Sequence, residues 1–262
     1  LQGAIDSGQV LFEPIEASHV WLKYWQQVFD KKEIHTRVSR DFLIKYSCKL
    51  TDEQKLLFDK QAVLPSVEFL QDTLKANRNW KAGPDGLSTQ ILHVCGQKMH
   101  DTLFGYYSNL LEQPIESNLV ENSNLCKLFL LSKGSAEIEE HPDARSGEKT
   151  RPLSSMNAIP KLFALLLTIP LTLLCTSFCV ASQRGFVRFR QLGQNVFEID
   201  SWQRLAAKFD HLSISMLYDF KAAFPSVSQE YLFMVLHHIG VPVYFIHAIA
   251  LLYANVSHVF CY

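Results

Sequence analysis

Neither sign of charge dominates this 262-residue chain: 25 lysines and arginines stand against 26 aspartates and glutamates, a formal net charge of −1. No global positive field advertises a nucleic-acid binder, so any basic surface has to be local. Six cysteines (Cys48, Cys95, Cys126, Cys175, Cys179 and Cys261) include no Cys-x-x-Cys pair, and no histidine lies at a zinc spacing from two of them. That excludes the usual zinc frameworks and leaves reduced, buried, structural thiols as the expectation. The ten histidines form no His-Glu-x-x-His pattern, and the adjacent His237 and His238 fall on different faces of one expected helix, so neither is a metal candidate. No internal repeat or heptad is visible. Nothing at the start reads as a secretory signal, since a basic stretch followed by an apolar core is missing. What the chain does have is apolar bulk, 48% of its residues, enough for one large domain or two small ones. It opens at Leu1 and stops after the apolar HVFCY, and the expectation is an interior piece of a longer polyprotein.

One long run carries no charge at all. Between Leu162 and Gln183 the chain reads LFALLLTIPLTLLCTSFCVASQ, nearly long enough to span a bilayer. Pro170, Thr168, Thr172, Thr176 and Ser177 dilute it, and no second hydrophobic span accompanies it. We therefore expect a helix broken or bent near Pro170, packed in protein, with no stable membrane association. A membrane-associated protein built around 162–183 is the rival reading.

Periodicity supplies a coarse outline. Val20, Trp21, Tyr24, Trp25 and Phe29 recur at helical spacing, which favours core packing of the two tryptophans over base stacking, and Thr51 is a capping residue before DEQKLLFDK. A short amphipathic helix covers 67–77, Gly83-Pro84-Asp85-Gly86 is a tight turn, and a long helix is expected over 88–112. KLFLLSK at 127–133 reads as a buried strand, 134–150 as a polar, exposed hairpin loop, and a further strand begins at Arg151. A strand over 212–219 ends in Asp219. Helices over 228–239, with Ser228 as N-cap and Gly240 and Pro242 as the stop, and over 243–254 close the outline.

Two features point to chemistry. Asp219 closes the apolar run LSISMLYDF and is followed by KAAFPSV, with an aromatic five positions on at Phe224; a carboxylate there is either a metal ligand beside a nucleotide pocket or an aspartate capping a strand end. Arg184, Arg188 and Arg190 form a basic cluster with no acidic residue between 183 and 197, which is either a solvated face or a contact for a nucleic-acid backbone.

Taken in order, NWKAGPDGL (79–87), KLFLLSK (127–133) with RPLSSMNAIPKLFA (151–164), QRGFVRFRQLGQNV (183–196) and LSISMLYDFKAAF (212–224), then IGVP (239–242) and ALLYAN (250–255), resemble the reverse transcriptase of non-LTR (LINE-type) retrotransposons over roughly 65–255. That family carries a Gly-Pro-Asp-Gly turn, a Lys before an Arg-Pro, a Gln-x-Gly-Phe segment and an Asp-Phe-x-x-Ala-Phe segment.

The resemblance implies an α+β fold, the fingers and partial palm of a right-hand polymerase, with an incomplete antiparallel palm sheet and flanking helices. Residues 1–64 would be an N-terminal helical extension, 65–200 the fingers region, and 201–262 the start of the palm. It implies RNA-directed DNA polymerase activity with two Mg²⁺ ions in the complete enzyme, held in part by the Asp219 carboxylate and the Phe220 main-chain carbonyl. Lys133 and Arg151 would hold the triphosphate, Ala223 and Phe224 would contact the nucleotide, with the Phe224 ring excluding a 2′-hydroxyl, and the three arginines would touch nucleic acid. Partners would be an RNA template, a DNA primer or target and deoxynucleoside triphosphates, in a nuclear or cytoplasmic ribonucleoprotein. The chain departs from the family at Ala222 and Pro225, where Lys and Asp are common, with a lysine moved to Lys221. The family's Tyr-x-Asp-Asp pair has no match before Tyr262, so the fragment alone is expected to be inactive. A non-catalytic nucleic-acid-binding remnant of such an element is the alternative.

Overall fold

The computed structural model describes residues 3–30, 32–46, 48–112, 123–134, 143–209 and 214–261. The chain is mixed α+β, with much more helix than strand and two small sheets among the described residues.

It begins with a hairpin that periodicity missed. Strands β1 (Gly3–Asp6) and β2 (Gln9–Leu11) pair antiparallel, Asp6 opposite Gln9. The two-residue connection puts Ser7 at φ 49° and Gly8 at φ 85°, the positive values at both central positions that fit a hairpin turn to the strand twist. Helix α1 (Pro14–Phe29) follows, with a proline in its first turn and the Glu13 carboxylate accepting from the Glu16 N–H, where acceptors and fixed φ favour a helix start. Its Trp21 and Trp25 are buried, as their spacing implies. The Trp21 Nε1–H donates to the Arg145 carbonyl and the Trp25 Nε1–H to Thr150 Oγ1, each at 2.8 Å.

Helices α2 (Thr36–Ile44), α3 (Asp52–Leu56), α4 (Lys60–Val63) and α5 (Val67–Ala76) come next. Thr51 and Gln54 form a reciprocal capping box at α3. The expected long helix over 88–112 is instead two, α6 (Thr89–Val94) and α7 (Gln97–Glu112). Cys95 leaves the helical conformation at φ −62°, ψ 140°, next to Gly96, a residue with little helix preference. The buried His100 bridges the break, its Nε2 3.0 Å from the Leu92 carbonyl and its Nδ1 3.1 Å from Gln71 Nε2.

The second sheet joins β3 (Leu125–Ser132), β5 (Thr150–Met156) and β6 (Ser257–Phe260) in the order β5-β3-β6, antiparallel to β5 and parallel to β6. The stretch between β3 and β5 is not wholly the exposed loop expected from its polarity. Residues 135–142 lie outside the described ones, but β4 (Ala144–Arg145) is buried and runs parallel to β1, and a 3-10 turn, Gly147–Lys149, leads into β5. Tertiary pairing with the N-terminal hairpin overrides local polarity there.

Helix α8 (Ala158–Phe178) carries the uncharged run up to Phe178 and continues unbroken through Pro170; 179–183 are not helical. Leu162, Phe163, Leu166, Leu167, Pro170 and Leu174 make its buried stripe. Thr168, Thr172 and Thr176 turn their hydroxyls onto carbonyls one turn back at 2.7 Å, which satisfies them within the helix. By length and composition α8 is apolar enough to cross a membrane, and 44% of its most apolar window is buried in the protein.

Helices α9 (Gly193–Lys208), α10 (Gln229–Ile239) and α11 (Val243–Tyr253) complete the chain. Ser228 caps α10 through the Tyr231 N–H, and Gly240 closes it at φ 92°, the left-handed terminus that glycine favours. One core holds residues from before 65 (Leu50, Phe58, Leu64), from α5 to α8 (Leu70, Tyr107, Phe163) and from α10 and α11 (Leu236, Phe245, Ile246). Phe58 meets Phe245 edge-on at 4.7 Å, and Tyr107 stacks on Phe163 at 5.5 Å. The thiols are less buried than expected: Cys126 is buried, Cys48 is exposed and the other four are half-buried.

The Gly83–Gly86 turn closes as expected, the Gly86 N–H donating to the Gly83 carbonyl at 3.2 Å with Gly86 at φ 73°. It also rests on the start of α8: the Asp85 N–H donates to Asn157 Oδ1 at 3.1 Å. A methyl group at Gly83 would fall 2.5–2.6 Å from Asn157 Oδ1, Cα and N, and a backbone neighbour cannot swing away. Gly83→Ala is expected to cost about 1–3 kcal/mol, whereas Gly96→Ala, with open space around it, is expected to stay within about 0.5 kcal/mol. Urea unfolding of both variants checks this, and equal stabilities would refute the close packing.

Candidate functional site

The β3–β5 pair sets the positions of the two candidate triphosphate cations. Ser132 pairs with Thr150 and Leu131 with Arg151, and the register continues one step past β3, where the Lys133 N–H donates to the Lys149 carbonyl at 2.8 Å. Residues opposite one another share a face and successive residues alternate, so Lys133 and Arg151 sit on the same side of the same hairpin end. Arg151 is exposed and Lys133 half-buried, and Lys133 Nζ also donates to the Glu148 carbonyl at 3.2 Å.

The segment around Asp219 comes to this same end. Lys221 Nζ forms an ion pair with the Glu148 carboxylate and lies 6.0 Å from the centre of the Tyr24 ring. The hydrogen bond from Lys221, aided by the charges of Lys221 and Lys133, holds the Glu148 carboxyl below its ordinary value; the same bond raises Lys221. On the other side, the Phe224 ring meets the Phe186 ring edge-on at 5.7 Å, joining the segment to the Gln-x-Gly-Phe stretch. Phe186 and Ala222 both hold positive φ, 61° and 50°, uncommon for residues with a Cβ and a genuine outlier for a bulky aromatic.

The backbone around Asp219 differs from expectation. Leu212 and Ser213 of the expected strand lie outside the described residues; residues 214–220 are exposed and are not in a strand, because neither sheet offers them a partner among the described residues. Asp219, Phe220, Ala223 and Phe224 are all exposed, Phe224 at 76%, so Phe224 is not a core phenylalanine. Among the described residues no group of three histidines, cysteines, aspartates or glutamates could hold a metal ion. Asp219 with the Phe220 carbonyl therefore falls short of the donor set a magnesium ion needs.

The basic cluster is largely committed to the protein itself. Arg184 forms an ion pair with Glu198, one turn into α9, and also donates to Asn195. The hydrogen bond from Arg184 to Glu198 lowers the Glu198 carboxyl below its ordinary range. Arg190 donates to the carbonyls of Thr176 and Cys179 at 3.0 and 2.9 Å and of Val180 and Gln183 at 2.6 and 2.8 Å. It caps the C-terminus of α8, where carbonyls lack helical partners. Arg188 is exposed, its guanidinium 4.8 Å above the Phe189 ring.

Two participants escaped the sequence reading. Glu148 lay in a stretch taken as loop, and Tyr24 was read only as part of a helical stripe. The one available signal was the lysine displaced from 222 to 221, which changes the direction in which its charge can find a partner. No protein-family profile matches the chain, and no curated protein is significantly similar to it.

Proposed function

We propose that this chain is the fingers and beginning of the palm of a non-LTR retrotransposon reverse transcriptase, an RNA-directed DNA polymerase. The observation that supports it is convergence. Three of the four motifs that resemble the family, all but the Gly-Pro-Asp-Gly turn, meet at one end of the β3–β5 hairpin, through Lys133, Arg151, the Lys221–Glu148 ion pair and the Phe186–Phe224 contact. In this reading Lys133 and Arg151 take the triphosphate, Arg supplying a planar fork and Lys a point charge. Ala223 and Phe224 lie beside the sugar, and Arg188 offers the exposed cation for template or primer backbone.

The two Mg²⁺ ions of such a polymerase belong to a complete palm with further carboxylates, because Asp219 by itself cannot hold them. A second reading, a nucleic-acid-binding remnant without catalysis, is favoured by the altered residues Ala222 and Pro225 beside Asp219.

Primer extension separates the two. The 262-residue chain is expected to extend no primer. A longer polypeptide of the same reading frame, containing the rest of the palm, is expected to extend a DNA primer on an RNA template with Mg²⁺. RNA binding without extension by that longer polypeptide would leave the remnant reading standing.

A further inference from the structure

We infer that Lys221 is a third cation of the candidate triphosphate site, and that the Glu148 carboxylate holds it as an internal anion which an incoming triphosphate displaces. The inference rests on the reading of Lys133 and Arg151 as triphosphate cations. Two ammonium groups flank one residue: Lys221 Nζ forms its ion pair with the Glu148 carboxylate, and Lys133 Nζ donates to the Glu148 carbonyl at 3.2 Å. The hydrogen bond from Lys221 keeps the Glu148 carboxyl low and the charges of Lys221 and Lys133 add to it, so the carboxylate lies in the field of both. Arg151 sits on the same side of this hairpin end, which therefore offers three cations, one of them already paired.

That pair is easily opened. Lys221 is 60% and Glu148 62% exposed, and exposed ion pairs are weakly held. The other neighbour of Lys221, the Tyr24 ring, stands 6.0 Å away, at the outer limit of a cation–π contact. The backbone beneath Glu148 is fixed by contrast. The Thr150 hydroxyl donates to the Gly147 carbonyl at 2.6 Å, the Lys149 N–H donates to the Ser146 carbonyl at 3.0 Å, and a methyl group at Gly147 would fall 2.5 Å from the Tyr24 side chain. The carboxylate can swing out on its own side chain while the hairpin stays in place. A phosphate chain brings more negative charge and more acceptor oxygens than one carboxylate, so it outcompetes Glu148 for Lys221 once Lys133 and Arg151 hold the rest of it.

Isothermal titration of the 262-residue chain with inorganic tripolyphosphate, in the absence of divalent metal, tests this apart from any magnesium site. Glu148→Gln is expected to bind about two- to fivefold more tightly than the parent, the range over which exposed ion pairs act, and Lys221→Gln more weakly. In the double variant the gain from Glu148→Gln is expected to be largely lost, because the cation it uncovers is missing. A general effect of net charge would persist in the double variant and would appear equally in Glu53→Gln, an exposed position on α3. Equal affinity of Glu148→Gln and parent, a gain matched by Glu53→Gln, or a gain undiminished beside Lys221→Gln would each overturn the inference. If one of these occurs while Lys133→Gln and Arg151→Gln weaken binding, the triphosphate reading survives without the displaced carboxylate. Absence of binding by the parent and every variant would overturn both.

Discussion

Asp219→Asn, placed in a longer polypeptide that contains the rest of the palm, is expected to reduce RNA-templated primer extension below detection while RNA affinity stays nearly unchanged. The substitution keeps size and hydrogen-bonding capacity but removes the negative charge at the position where the resemblance puts a cation ligand. Asp219 is exposed and no hydrogen bond involves it among the described residues, so its loss disturbs no packing. It is also not a phosphate contact, so the electrostatic part of RNA binding is left in place. Phe224→Ala makes the contrast: it removes a 76%-exposed ring and its contact with Phe186, and is expected to admit ribonucleotides with a smaller loss of rate. Parallel extension assays with deoxy- and ribonucleotides measure both. Robust extension by Asp219→Asn would reduce the resemblance to one of fold alone.

Trp25→Ala is expected to destabilise the chain by about 3–5 kcal/mol, the usual cost of emptying a buried tryptophan site. Trp25 is 2% exposed and packs on Tyr24 and Phe29, and its Nε1–H reaches Thr150 Oγ1. Thr150 is the first residue of β5, adjacent to Arg151, so the indole ties α1 to the hairpin end that carries the candidate cations. Trp25→Phe retains most of the ring and forfeits the hydrogen bond, with an expected cost of about 1–3 kcal/mol. Thermal and urea unfolding give both values. A loss under about 1 kcal/mol for the alanine variant would mean that α1 is not docked as described.

Where local chemistry decides, the sequence was readable. The Gly83–Gly86 turn, the Thr51 and Ser228 caps, the stop at Gly240, the β3 and β5 strands and the burial of Trp21 and Trp25 all follow from residue type and spacing. Where distant partners decide, it was not. Nothing local marks Ala144–Arg145 as a strand, since its partner is β1 at the other end of the sequence. LSISMLYDF has the composition of a strand and yet its described residues, 214–220, stay unpaired, because a strand is defined by a neighbour and the described residues supply none. For the candidate site, the positions of Lys133 and Arg151 were legible from hairpin spacing. Glu148 was hidden in polar sequence, and the inward commitment of Arg184 and Arg190 depends on Glu198 and on carbonyls at the end of α8, which no charge count reveals.

The parallel pairing of β3 with β6 has a consequence in time. Leu125 opposite Ser257 means that 257 − 125 = 132 residues are synthesised after β3 begins before its second neighbour exists, roughly 7–26 s at ordinary translation rates of about 5–20 residues per second. Throughout that interval β3 has at most β5 beside it, and Asn124, whose Nδ2 donates to the Leu251 and Ala254 carbonyls at 2.7 Å, waits for the same late segment. Of the elements described, the nascent chain completes this sheet last, so the ribosome-bound intermediate is the state in which β3 is most open to a chaperone or to a neighbouring chain on the same polysome.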